Sequence, residues 1–200
     1  MHDKHQKFFD KLAEEWDFTF TAEDLDRLRH LVGKIGVTEG MQILDLGCGT
    51  GILFDMLRRA VGESGSVTGV DFSFEMAQKA HRNFPFPNVN VVDADAVSLP
   101  FVDSSFDMVV AFASFPHFSN QQRALDEAHR VLKAGAKIFI IQLESSKETI
   151  ETHHRVGGAV ADDSLPPDDK FHEMLKKSKF TNESIEDHPG LYLATATNSK

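Results

Sequence analysis

Three aspartates stand at or just past the ends of three successive apolar segments: Asp45, Asp71 and Asp95. After the first comes Gly47-Cys48-Gly49-Thr50-Gly51, with glycine at every second position. Glycine suits a backbone that must take positive φ or lie against a bound molecule. An acid roughly 20 residues beyond such a turn can accept both ribose hydroxyls of a nucleoside. A carboxylate at Asp95 could accept a hydrogen bond from an adenine amino group, with the Ala96 amide serving a ring nitrogen. Each acid alone reads equally well as a turn residue or helix cap; three on successive strands are a stronger signal. A dinucleotide fingerprint, G-x-G-x-x-G, needs a third glycine at 52 or 54, where the chain has Ile52 and Phe54. The turn also lacks the lysine of a P-loop, so pyrophosphate recognition is not supported.

The elements that must hold these residues alternate. Apolar segments at 41–46, 66–70, 89–92, 106–112 and 137–143 read as strands, and patterns at 52–61, 73–83 and 120–132 as helices. Residues 106–112 form a near-continuous apolar run, typical of a strand buried on both faces. This predicts an α/β, Rossmann-like, doubly wound and mostly parallel sheet of seven strands. Segments 183–187 and 191–197 are expected to close it as an antiparallel hairpin around Pro189-Gly190. Before the sheet, Phe8, Phe9, Leu12 and Trp16 fit one stripe of a helix, and Thr21 caps a second helix over 22–35. Residues 145–170 read as irregular and polar, and 171–179 as helical. One domain is expected: a helical cap at 1–40, a core at 41–143 and a substrate-side segment at 144–200.

Composition excludes some partners. Net charge is −10, with 31 acids against 21 Lys and Arg, which argues against nucleic acid. The single cysteine, Cys48, excludes an intrachain disulfide or a cysteine metal site. The start is polar, with no secretory signal pattern, and no apolar run approaches the ~18 residues of a membrane span. A cytoplasmic location is the expectation; oligomeric state is not legible.

The ordered motifs resemble class I S-adenosylmethionine (SAM) dependent methyltransferases, closest to the ubiquinone and menaquinone biosynthesis branch. The matching segments are Ile43-Leu-Asp-Leu-Gly-Cys-Gly-Thr-Gly51, Val70-Asp71-Phe72-Ser73 with Met76, Asp95-Ala-Val-Ser-Leu-Pro-Phe101, Ser105-Phe-Asp-Met-Val-Val110 and Arg130-Val-Leu-Lys133. Two departures stand outside these motifs: Ala134-Gly135-Ala136 where the family often has Pro-Gly-Gly, and Lys179 where it often has glycine before the aromatic. The resemblance implies SAM as cofactor and S-adenosylhomocysteine as product. Backbone of Gly47, Cys48, Gly49 and Gly51 would pass under the methionyl part, which Asp45 would orient. Asp71 would hold the ribose, Phe72 and Met76 flank the adenine, and Asp95 with Ala96 read its edge. Backbone at Ala111 and Phe112 would face the methionyl amine and sulfonium.

The transfer itself needs alignment of a nucleophile and exclusion of water, with a base only if the acceptor must lose a proton. His117, just past the fourth strand, is one candidate base. His153 and His154 are others, and adjacent helical residues do not share a face, so at most one of the two is expected in the pocket. Asp162 and Asp163 follow them, but no compact metal-ligand spacing is present and no metal is expected. Phe115 and Phe118, with Phe8, Phe9 and Trp16, could cover a flat or apolar small-molecule acceptor, or simply pack. The alternatives to a methyltransferase are a nucleotide-dependent oxidoreductase on a similar sheet and a non-catalytic SAM-binding or regulatory protein.

Overall fold

The computed structural model describes residues 2–200, with side chains from residue 4 onward. Helices α1 (His2–Leu12) and α2 (Ala22–Lys34) precede the sheet. Then follow β1 (Gln42–Leu46), α3 (Phe54–Val61), β2 (Ser66–Asp71), α4 (Phe74–Asn83), β3 (Val89–Asp93), β4 (Phe106–Phe112), α5 (Gln121–Val131) and β5 (Leu132–Gln142). After these come α6 (Ser146–Val156), α7 (Asp168–Lys177), β6 (Phe180–His188) and β7 (Leu191–Asn198). The seven strands lie in the order β3-β2-β1-β4-β5-β7-β6. Pairs from β3 to β5 are parallel, and β7 runs antiparallel to both β5 and β6. The expected doubly wound sheet with its closing hairpin is therefore present.

Strand alternation divides the core into two layers. Leu44, Leu46, Val109, Ala111, Ile138 and Ile140 face α5 and α7. Ile43, Val67, Met108, Val110, Phe139 and Ile141 face α2 and α3. On that second side β2 carries Gly69, paired in register with Asp45. A Cβ on Gly69 would come within 2.4 Å of the Phe54 ring and 2.7 Å of the Cys48 sulfur. The glycine is what lets α3 and the turn before it sit flat on the strand.

Local chemistry sets the helix ends. Thr21 and Asp24 form a reciprocal capping box at α2, and Ser73 and Asn120 cap α4 and α5 through the amides of Met76 and Arg123. Two expectations change. Trp16 is not on the α1 stripe: α1 stops at Leu12, and Trp16 opens a 3-10 turn, Trp16–Thr19. The buried Lys79 accounts for the stop, because its Nζ donates to the carbonyls of Ala13 (2.9 Å) and Glu14 (2.8 Å). The segment 145–170 is not irregular throughout, since it contains α6. That helix shows no apolar stripe because Thr149 is its only buried residue. Its signal is instead the capping box of Ser145 and Glu148.

Both departures from the family pattern keep a left-handed backbone. Gly135 has φ +72° and sits where the β4–β5 register shifts between Phe106 and Met108. Lys179 has φ +61°, a conformation in which a side chain costs energy that glycine avoids.

Candidate functional site

Beyond the carboxyl ends of β1, β2 and β4 the chain builds a floor. Gly47, Gly49 and Gly51 all have positive φ, at +77°, +53° and +87°. A Cβ on Gly47 would stand 2.4 Å from Ser114 Cβ, and one on Gly51 2.7 Å from the Phe54 ring. The amides of Gly47 and Cys48 both donate to the Val70 carbonyl, at 2.8 and 3.0 Å. Asp71 ties the turn to β2: its Oδ2 accepts from Gly49 N–H (2.8 Å) and its Oδ1 from Ser73 N–H (2.9 Å). Each oxygen keeps a further lone pair for a hydroxyl. Burial pushes the Asp71 carboxyl up to about 6, against the pull of those two amides.

Asp45 lies under the turn and is 1 % exposed. Neither of its oxygens has a hydrogen-bond partner among the described residues. Burial, then the nearby Asp71 charge, pushes it up to about 8. A buried acid without a donor is costly and suits a site completed by a cationic or hydrogen-bonding ligand. Cys48 is also buried, and desolvation raises its thiol well above the ordinary value, with Asp71 and Asp45 adding to the effect.

Two adjoining clefts open over this floor. The first is lined by Asp71, Phe72, Asp95, Ala96, His117 and Asp163, among others. The second is lined by Phe9, Trp16, Phe20, Met76, Phe112 and His117, among others. Gly47, Asp71, Phe72, His117 and Phe118 border both. The Asp95 loop is held from behind: Arg130 donates to the carbonyls of Leu99 (2.9 Å) and Phe101 (2.7 Å), while Glu127 accepts from Leu99 N–H at 2.8 Å. Ala111 is fully buried in the core, whereas Phe112, Ala113 and Ser114 reach the cleft wall. Of the expected pair Ala111 and Phe112, the strand end meets the cleft at Phe112. Met76 does both things open to it, packing with Phe9, Ala13 and Val160 while facing the second cleft.

A cover of α1 and the 3-10 turn lies across the floor. Gln6 Nε2 donates to the Phe72 carbonyl (3.1 Å), and Ser73 Oγ donates to Asp10 (2.6 Å). Phe9 meets Trp16, Phe72 and His117 edge-on at centroid distances of 5.8, 5.9 and 5.1 Å. His117 joins cover to floor: its Nδ1 lies 2.7 Å from Asp163 Oδ2, which also lies 2.9 Å from His5 Nε2 of α1. His153 Nδ1 meets the Asp163 carbonyl at 2.7 Å, with its ring 4.8 Å from that of His117. His154 is exposed, so of the adjacent pair only His153 points inward. Burial lowers the pKa of His117; Asp163 opposes this, while His153 and His5 add to it. Among the described residues no group of three His, Cys, Asp or Glu side chains could hold a metal ion. The contribution of His5 was missed in the sequence, although His5, Phe9 and Leu12 fall at i, i+4 and i+7 on one helical face.

These residues fit the group that the motifs imply. The orphaned Asp45, the glycine cradle and an Asp71 with lone pairs to spare are the parts a nucleoside joined to an amino acid would meet. Comparison with known proteins agrees. A family model described as a methyltransferase domain matches residues 44–140. A demethylmenaquinone methyltransferase of Staphylococcus aureus is 38% identical over 61% of this chain and 50% of its own length. Its counterpart from Lysinibacillus sphaericus is 31% identical over 83% of this chain and 69% of its own. The chain spans between half and two thirds of the length of the first curated relatives it matches. Among solved structures, a SAM dependent methyltransferase from Aquifex aeolicus superposes with a TM-score of 0.67 at 22% identity, over 90% of this chain and 99% of that one. Glycine floor, paired acids and ordered motifs, together with these relatives, place the chain in the SAM-dependent methyltransferase family.

Proposed function

We propose that the chain is an enzyme that moves a methyl group from SAM to a ring carbon of a reduced, quinone-type acceptor, releasing S-adenosylhomocysteine. The observation that carries this reading is the position of His117. It borders both clefts, above a floor whose deepest acid, Asp45, has no hydrogen-bond partner among the described residues. The whole chain acts as one unit, with residues 1–40 as cap, 41–143 as core and 144–200 supplying His153 and Asp163. Among the described residues no helix is long and apolar enough to cross a membrane, and we read the chain as cytoplasmic. Its net charge of −10 disfavours nucleic acid as the acceptor.

SAM, when bound, supplies a methyl group already activated on sulfur. The chain contributes binding, alignment and a place for one proton. In this reading Asp71 takes the ribose hydroxyls, Asp95 and Ala96 meet the adenine edge, and Phe72 and Met76 meet its faces. Asp45 faces the methionyl ammonium, and Gly47, Cys48, Gly49 and Gly51 let the backbone approach. The aromatic wall of Phe9, Trp16, Phe20, Phe112 and Phe118 suits a flat ring. A quinol ring carbon becomes strongly nucleophilic when a ring hydroxyl loses its proton, and His117 is placed to accept that proton. The relatives named for demethylmenaquinone support a ring of this class.

The test has two arms. SAM and S-adenosylhomocysteine at 100 times their Kd should each add about 2.7 kcal/mol of stability, and NAD none. Methyl-labelled SAM should then label dithionite-reduced 1,4-naphthoquinone, but neither the oxidised quinone nor simple amines. No stabilisation by either SAM compound removes the cofactor assignment. Labelling of amines in preference to the quinol overturns the acceptor. Stabilisation without transfer to any acceptor class makes the chain a binding protein.

A further inference from the structure

Asp163 reaches the site from a loop 46 residues after His117 and 158 after His5. A carboxylate only accepts, so His117 Nδ1 must be the nitrogen that carries hydrogen in the 2.7 Å contact. His117 Nε2 has no protein hydrogen bond among the described residues, and the ring lines both clefts. His5 Nε2 donates to the same carboxylate, at 2.9 Å to Oδ2 and 3.1 Å to Oδ1. His153 donates to the Asp163 backbone carbonyl and so fixes the loop without using the carboxylate.

We propose that Asp163 is the positioning residue of the base. It locks His117 in the tautomer whose lone pair, on Nε2, faces the cleft, while His5 of α1 shares the same carboxylate. This rests on the reading of methyl transfer to a quinol. In the step, the acceptor O–H bond breaks and its proton goes to His117 Nε2. The electron pair stays on the ring and forms the new C–C bond as the S–C bond breaks. Asp163 then stabilises the imidazolium; the hydrogen on the newly methylated ring carbon is lost to solvent as the imidazolium returns its proton to the ring oxygen, which restores the aromatic quinol. The titratable groups around His117 are Asp163 in the loop before α7, His5 on α1 and His153 on α6. His117 and then His5, through hydrogen bonds and charge, outweigh the burial of Asp163 and keep its carboxyl below the ordinary range.

The experiment compares wild type, Asp163→Asn, Asp163→Glu, His117→Gln and the double variant Asp163→Asn/His117→Gln. Imidazole 15N spectra of the protein without ligand, assigned by the signal lost in His117→Gln, should show His117 protonated on Nδ1. In Asp163→Asn that tautomer should give way to the other or to a mixture, an outcome with precedent where an Asp orienting a histidine is amidated. With reduced 1,4-naphthoquinone, kcat of Asp163→Asn should fall about 100-fold. KM and S-adenosylhomocysteine affinity should stay within about threefold. The acid limb of the kcat profile should move down by about one pH unit, because the carboxylate no longer favours the imidazolium. Asp163→Glu should recover part of kcat, and the double variant should be no slower than His117→Gln. An unchanged His117 tautomer in Asp163→Asn overturns the proposal, as do additive losses in the double variant. An equal fall in kcat and ligand affinity would make Asp163 merely structural. If wild type transfers no methyl group, the functional reading fails, while the tautomer measurement still decides what Asp163 does to His117.

Discussion

The floor and the cover of the cleft are held by different means. In the floor, partners are near in sequence or paired along the sheet. Asp71 binds an amide 22 residues before it and another 2 after it, and the glycine turn hangs from the end of β2. In the cover, single side chains reach across 63 to 158 residues: Ser73 to Asp10, Lys79 to Ala13, and His5 to Asp163. Backbone geometry makes the floor; a few polar side chains make the cover. Changes to the floor should therefore cost stability and cofactor together. Changes to the cover should alter the rate or the acceptor and leave the fold in place.

Gly47→Ala should break the floor hardest, since the new Cβ meets both a left-handed backbone and Ser114 at 2.4 Å. We expect a loss of about 3 kcal/mol, roughly 6–12 °C in Tm by calorimetry. Gly36→Ala is the control: φ is +82° with nothing within 4 Å, so only about 1 kcal/mol should be lost. Equal losses would show that the turn is not a close-approach floor. Asp71→Ala should weaken SAM binding about 100-fold, near 2.7 kcal/mol, by titration calorimetry; unchanged affinity removes Asp71 from the floor. For the cover, Lys79→Met takes the donor from the end of α1 and should cost about 2 kcal/mol. Hydrogen exchange should accelerate in α1 and not in β1; uniform acceleration would merge the two regions.

Asp45 gives the comparison a pH signature. Its carboxyl is raised from 3.8 to about 8, so the native state holds a proton that the unfolded chain releases. The resulting stability is complete below about pH 4 and is lost as pH rises through about 8. Asp71 is pushed up only to about 6, and His117, held below its ordinary value by burial, acts in the opposite sense up to about pH 7, so the interval from 7 to 8 reports mainly on Asp45. There the ligand-free protein should lose up to about 1.4 kcal/mol per pH unit, and Asp45→Asn should flatten that slope. A slope that survives the substitution places the titration elsewhere. The smallest effect lies in neither region: Lys179→Gly should stabilise by about 1 kcal/mol, because Lys179 holds φ +61°. No gain in Tm would mean that its side chain compensates for the backbone.

The same division decides what the sequence discloses. The continuous apolar run predicts β4 at 106–112, where it is found. The glycine spacing and Asp45, Asp71 and Asp95 mark the floor, because strand ends and turns are written in adjacent residues. The missed helix, α6, buries only Thr149, so periodicity had nothing to register. His117 could be nominated from its place after β4. That His5 would share Asp163 with it depends on how α1 docks, which no local pattern encodes. Adjacency limits His153 and His154 to one inward side chain at most but does not say which; the structure turns His153 toward Asp163 and leaves His154 in solvent. Of the backbone expected at Ala111 and Phe112, Phe112 lines the second cleft and Ala111 lies in the core one residue before it, ahead of the turn at Ala113, φ +50°.

Cys48, the only cysteine, gives the chain a built-in gauge. Its sulfur is wedged against Gly69 and its thiol is held in the unreactive protonated form. A thiol reagent can label it only while the turn is lifted from β2. Labelling should therefore be slow and count openings of the turn, one modification per molecule, with no dye or engineered site. A ligand resting on the glycines should slow the count in proportion to its occupancy.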